Sequence, residues 1–271
     1  MRITTVWRYP VKSMLGERID AARVQAAGLA SDRGVALIDR ATGLVATAKH
    51  PRLWRHLLRY SAAVRDGRVL ITSPAGWTRD ALEPAVDELL SDELGRAVQV
   101  CVERPHTAAV ERPDPEDVLD QGVEATVPAA TLEIGQGTPG TTFVDYAPVH
   151  LITSATLARI GTEHLRYRPN LVVETPPDTP PFVENDWVGR ELHVTGGDGA
   201  TTVLRIALPT PRCSVPTLEH GPLPRAAHAV RTLMRDNRVD VPGFGVLPCA
   251  GCYAEVVQGG IVRVGDEVTL R

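Results

Sequence analysis

The chain has 271 residues, 43% of them hydrophobic and 23% charged, with a formal net charge of −4. That balance suits a soluble globular protein with a sizeable core in one large or two ordinary domains, and the mild acidity argues against a nucleic-acid binder, which needs a basic field. No apolar run approaches the roughly 18 residues of a membrane span, and MRITTVWRYPVKS has no apolar signal-peptide core, so no membrane contact and a cytoplasmic location are expected. RITTVWRY reads as a strand ended by the turn YPVKSMLGE, because Pro10 cannot donate to a ladder and Gly16 supplies a permissive turn position. Short strands follow at RIDAARVQAAG, GVALID and LVATA, punctuated by Gly28, Asp32, Gly34 and Thr42-Gly43, which is the spacing of a mainly β unit.

Residues 81–97 predict a helix, with Leu82, Val86, Leu89, Leu90 and Leu94 on one stripe. In AVQVCVE, Val98, Val100 and Val102 share a face; Cys101 points the other way, as a small packed side chain. Pro, Gly, Asp and Glu between Arg104 and Gly140 predict a loop crossing the surface. HLIT is a strand, after which Thr153 or Ser154 caps a short helix through Ile160. LRYRPNLVVE is another strand, and ELHVTGGDGATTVLRIAL is a hairpin around GGDG. LPRAAHAVRTLMRDN is an amphipathic helix with Ala226, Ala227, Val230, Leu233 and Met234 on one face. YAEVVQGGIVRVGDEVTL predicts a final hairpin turning at Gly259-Gly260 and again at Gly265-Asp266. The fold class is therefore α+β, strand-rich, with closed or barrel-like sheets.

Glycine-rich nucleotide loops, H-E-x-x-H and G-x-S-x-G are all absent, which removes simple nucleotide-binding, zincin and serine-hydrolase readings. The eight histidines are scattered without metal-ligand spacing. Cys249-Ala250-Gly251-Cys252 is a C-x-x-C that opens no helix and has no second C-x-x-C for a zinc site. It reads as an incidental pair, a redox or sulfur-relay dithiol, or a metal site completed by Cys213. Cys213 itself lies in ALPTPRCSVPT, a thiol on a proline-stiffened turn beside Arg212, which is the setting of a reactive or ligating cysteine.

Four polar clusters sit where strands end: Lys12-Ser13, Asp32-Arg33, Arg168-Pro169-Asn170 and Arg212-Cys213. Only Lys12 and Lys49 are lysines, every other basic residue being arginine, which marks Lys12 for attention. If the clusters converge, they surround one thiol with positive charge. Such a site suits an anion carrying phosphate and a soft metal or sulfur centre. If they do not, each is an ordinary solvated turn.

RYPVKS, GLASDRG, HLITSATL, RYRPNLVV, FVENDWVG, PRC and GGIVRVGDEV, in that order, resemble the MOSC family, the domain of molybdenum-cofactor sulfurases, and the first third resembles the β-rich domain that often precedes it. The resemblance implies an N-terminal MOSC-associated domain over 1–115 and a barrel-like MOSC domain over 116–271, packed around one site. It implies the pyranopterin molybdenum cofactor, with Cys213 as the sulfur ligand to molybdenum and Lys12, Ser13, Arg33, Thr156, Arg168, Asn170 and Arg212 holding the cofactor. Relatives of this layout include the mitochondrial amidoxime-reducing component and bacterial reductases of N-hydroxylated bases. The implied function is thus an oxidoreductase that reduces N-hydroxylated or similar small oxygenated substrates. Its electrons would come from a separate donor protein bearing flavin, haem or an iron-sulfur centre. The alternatives are a sulfur carrier or transferase using a cysteine persulfide, with Cys249 and Cys252 as a relay, and a non-catalytic cofactor carrier.

Three departures from the family pattern stand out. SVPTLEHGPLP replaces an acidic-Pro-x-Thr-Gly turn after PRC, Gly34-Val35-Ala36 replaces an aromatic after the DR motif, and the cysteine pair interrupts the run into the last strands.

Overall fold

The computed structural model describes residues 1–271. Seven strands close into a barrel. In spatial order they are Val149–Thr153, Leu171–Glu174, Arg2–Arg8, Glu267–Leu270, Glu191–Thr195, Thr201–Pro211 and Gly245–Gln258, the last pairing back onto the first. Closure leaves no open edge. One contact in the ring is parallel, Leu151 opposite Leu171, and such a pair needs a crossover between its strands. The helix Ser154–Ile160 makes it, started by the Thr153 side chain accepting from the Thr156 amide and ended by Gly161 in the left-handed region.

Inward residues of all seven strands form the main core, 18 buried side chains that include Ile3, Leu151, Val173, Leu192, Leu204, Cys252 and Val268. A second core of 14 residues belongs to the N-terminal half. There the helix Val86–Leu94 buries Val86 and Leu90 over the strand pair Ala36–Asp39 and Val98–Cys101 and the three-stranded sheet Ser61–Arg65, Arg68–Thr72 and Thr78–Asp80. Val98 and Val100 pack on this core, whereas Cys101 packs on a neighbouring cluster with Val110 and Phe143, so the strand divides its faces as its alternation predicts.

The first strand, Arg2–Arg8, belongs to the barrel although it lies at the start of the chain. The chain therefore passes from the barrel into the N-terminal core at Tyr9–Ser13 and returns later. The turn that makes this passage is where the two cores meet.

Several expectations about elements change. The helix starts at Val86 rather than near residue 81, because Pro84 disfavours helix before it and the Asp80 carboxylate already holds the Leu82 amide in a turn; Leu82 is 65% exposed. LVATA is no strand and contributes only a bridge from Val45 to Ile38. The 104–140 loop contains a helix, Pro115–Gln121, capped by Asp114, and a hairpin pairing Ala109–Pro113 with Ala129–Glu133. Asp-Pro was a helix start, with proline pre-set at the first helical position. LRYRPNLVVE is strand only from Leu171, because His164–Tyr167 form a 3-10 helix ended by Arg168 in the left-handed region. The final hairpin does not form: Gly260–Arg263 pairs with Ala21–Gln25, and Glu267–Leu270 pairs with Glu191–Thr195. Local turn signals cannot distinguish pairing with the neighbour in sequence from pairing across the barrel. No helix is long and apolar enough to cross a membrane.

Candidate functional site

A cleft of about 700 Å3 lies where the two cores meet. Its lining includes six basic side chains, Lys12, Arg33, Lys49, Arg166, Arg168 and Arg212, against one acid, Asp145. Lys12, Ser13, Arg33, Arg168, Asn170, Arg212 and Cys213 all line it, so the four polar clusters converge.

Backbone geometry explains how the turns are held. Lys12 N donates to Val35 O at 2.8 Å and Arg33 N to Tyr9 O at 2.7 Å, zipping the two N-terminal turns together. Ser13, Arg33 and Arg168 each adopt positive φ, at 65°, 48° and 53°. Left-handed backbone costs a non-glycine residue of order 1 kcal/mol or more and survives where the surroundings impose it. Here the surroundings are dense: Asp32 pairs with Arg33 and also accepts from Tyr9 N, Arg33 donates to Arg168 O at 3.0 Å, and Arg168 donates to Met14 O at 2.6 Å. Both guanidinium groups lie against the Tyr9 ring, 4.8 and 4.4 Å from its centre, a favourable use of the ring quadrupole by two repelling cations.

The site residues divide by whether they keep free hydrogen-bonding capacity. Asn170 is a latch: its side chain accepts from His150 N and donates to Trp7 O. Arg212 is a brace, donating to Ala250 O at 3.0 and 2.7 Å, to Tyr167 O at 3.2 Å and to His150 Nε2. His150 must then accept at Nε2 and carry its proton on Nδ1, which faces Arg168 O. Burial, with Arg212 and Arg33 nearby, holds its pKa well below the usual histidine range, so the ring is neutral. Ser13 Oγ accepts from the Ala48 amide and steadies the next turn.

Arg168 has a nitrogen, Nη2, that is buried and without a partner. Burial and Arg33 lower its pKa to about 10, leaving it charged at neutrality. Lys12 and Lys49 meet on Asp145, at 2.6 and 2.9 Å. Burial lowers Lys12 to about 8 although Asp145 pulls the other way, while on Asp145 the two lysines outweigh burial and keep the carboxylate well below its ordinary pKa. An ammonium has three donors, so the lysines keep capacity for an anion beyond Asp145. Cys213 is half-buried on the cleft lining.

Thr156 lies elsewhere: its hydroxyl donates to Glu184 and accepts from Phe182 N, outside the cleft lining. Cys249 and Cys252 are also off the cleft lining, buried in two different clusters. Burial raises the Cys249 thiol to about 12 and Cys252 well above its usual range. Lys49, Asp145, His150 and Tyr253 line the cleft and escaped the sequence reading. For Lys49 a signal existed, since it is the second of only two lysines; nothing in their local sequence marks the others.

The fold and the cleft define a barrel protein with a strongly basic cleft lined by one half-buried thiol. The family model described as the MOSC N-terminal beta barrel domain matches residues 1–104, and that of the MOSC domain matches 139–269. The chain belongs to the MOSC family, a family associated with the molybdenum cofactor. No curated protein sequence matches it. Among solved structures it is similar to the YuaD protein of Bacillus subtilis, at 9% identity and TM-score 0.44 over 99% of this chain and 94% of that one. It is also similar to YiiM of Geobacillus stearothermophilus, at 16% identity and TM-score 0.30 over 62% and 74%.

Proposed function

We propose that the cleft holds the pyranopterin molybdenum cofactor and that the protein is an oxidoreductase for N-hydroxylated or similar small oxygenated substrates, served by a separate electron-donor protein. The observation that carries this reading is the placement of Cys213 on the lining of a cleft with six basic side chains and one acid. The residues fit such a group. Arg168 Nη2 is a buried donor with no partner, a costly state that a bound phosphate oxygen would relieve. No three His, Cys, Asp or Glu side chains gather to hold a bare ion, so a metal here suits one that arrives on its own organic ligand and takes a single thiolate from the protein.

Lys12, Lys49 and Arg168 would hold the anionic end, and Cys213 would ligate the metal. Ser13, Arg33, Asn170 and Arg212 would act from behind, fixing the turns through the bonds described above. The bound cofactor supplies an oxygen-accepting, two-electron centre. The protein supplies preorganised positive charge around it. Neutral His150 adds no charge to a site already crowded with cations.

Molybdenum analysis of protein from a cofactor-competent host tests the proposal: wild type should carry the metal and Cys213→Ala should lose it. Absence of molybdenum from both preparations would overturn it. Persulfide relay through Cys249 and Cys252 gains no support, because both thiols are buried, in different clusters, and both are held protonated.

A further inference from the structure

A second cavity, of about 660 Å3, adjoins the cationic cleft and shares Lys49, Asp145, Arg212, Cys213 and Tyr253 with it. Its remaining walls are of another kind, with aromatic and aliphatic side chains beside Arg112, Glu133 and Gln136. Tyr146 stands at the centre of an aromatic trio: Phe244 meets it edge-on, 5.8 Å between ring centres at 82°, and Tyr253 lies tilted against it at 5.9 Å and 41°. Leu208, Val110 and Ile134 complete the apolar surface. The 109–133 hairpin, within the segment expected to be loop, contributes Val110.

Phe244 is the unusual member. It sits in the turn between the strands Arg238–Val241 and Gly245–Gln258, held by its amide donating to Val241 O at 2.8 Å. It is nonetheless 40% exposed. Phe244 lines the cavity with its burial incomplete, and its neighbour Tyr146 is only half-buried. Aromatic rings at these separations present faces and edges that a further ring can meet in offset or edge-to-face geometry, an attraction that a saturated ring of the same size lacks. Lys49, Asp145, Arg212 and Cys213 lie on the lining shared with the cleft, while Arg112, Glu133 and Gln136 add polar groups to the rest.

We infer that this cavity binds a planar aromatic or heteroaromatic group between Tyr146, Tyr253 and Phe244, with the polar end of the ligand at Cys213 and Lys49, and that Phe244 sets the preference for a flat ring. The role of the bound molecule as substrate rests on the proposed function; its binding does not. One cavity carries the charge complementarity and the other the shape selection, with the thiol at their boundary.

Saturation-transfer NMR on the full chain without cofactor reads binding directly, with benzamide and its saturated counterpart cyclohexanecarboxamide as probes. Benzamide should bind about three- to tenfold more tightly than the saturated amide, the range of one aromatic pair. Phe244→Ala and Phe244→Leu should both erase most of that preference, the second keeping apolar bulk at the site. Val246→Ala, on the same hairpin, 61% exposed and outside the cavity lining, should leave it intact. Equal binding of the two amides, no binding of benzamide, or an unchanged preference in both Phe244 variants would overturn the inference. Retained ring preference in a protein that never acquires molybdenum would overturn the functional reading and leave the cavity assignment standing.

Discussion

Two cysteine-bearing stretches lie side by side in one ladder, and they have opposite characters. PTPRC ends the strand Thr201–Pro211, and CAGC lies in the strand Gly245–Gln258, with Pro211 opposite Cys249 and Pro209 opposite Cys252. The first presents its thiol to the cleft; the second buries both of its thiols and lies off the cleft lining, supporting it only through Arg212 and His150. The Ala250 carbonyl grips Arg212 twice, and Gly251 leaves the space that His150 fills. The residue with the expected chemistry is thus positioned by a motif whose own chemistry is silent. Here the two thiols of the C-x-x-C pack in different clusters, Cys252 in the main barrel core and Cys249 beside Leu208 and Val241, so the pair is not set up as a dithiol.

The largest test of this contrast is Gly251→Ala. A Cβ there would sit 2.3 Å from Leu151 O and 2.6 Å from His150 Nε2, on backbone that an L side chain resists. Neither a carbonyl in the barrel wall nor a ring braced by Arg212 can move cheaply. A loss of about 3 kcal/mol or more in urea unfolding is expected. A change under about 0.5 kcal/mol would show that the stretch is slack and the brace dispensable.

Next come the cysteines themselves. Cys252→Ser places a hydroxyl in the main apolar core and should cost about 1–3 kcal/mol. Cys213→Ser, at a half-exposed position, should cost less than about 1 kcal/mol in the same assay. Alkylation of the native protein, read by peptide mass, should mark Cys213 and Cys101 and spare Cys249 and Cys252, whose protonated, buried thiols are poor nucleophiles. Labelling of the buried pair at the rate of Cys213 would break the comparison.

This difference was only half legible in the sequence. Cys213 could be found because prolines and an arginine flank it, and Lys12 because lysine is rare in this chain. Ser13, Arg33 and Arg168 were found as turn residues, though the strained backbone they share is visible only in three dimensions. Barrel closure was legible as strand-rich patterning, while the pairing of the last strands was not, since register across a barrel is set by inward-facing contacts with strands far away in sequence. Arg212 and Asn170 were correctly placed at the cleft, but sequence could not reveal that their donors are already engaged. Thr156 lies off the cleft lining, and sequence could not reveal that its hydroxyl completes the hydrogen bonding of buried Glu184, a partner 28 residues away.

The smallest expected effect separates the lysines from the arginines within the cleft. Lys12 is charged at neutral pH but holds its proton only up to about pH 8, whereas Arg168 holds its own to about 10. Sulfate is a suitable probe because its charge is constant across this range. Its affinity, measured by calorimetry, should fall as pH rises through about 8, by up to about tenfold if one charge-assisted bond is lost. Stability from this group should move the other way. An unfolded lysine keeps its proton to 10.5, so between about 8 and 10.5 the unfolded state binds more protons and the folded state gains as pH rises. Lys12→Arg should flatten the sulfate profile up to about pH 10. A profile that keeps its midpoint near 8 in that variant would assign the titration elsewhere and remove Lys12 from the anion site.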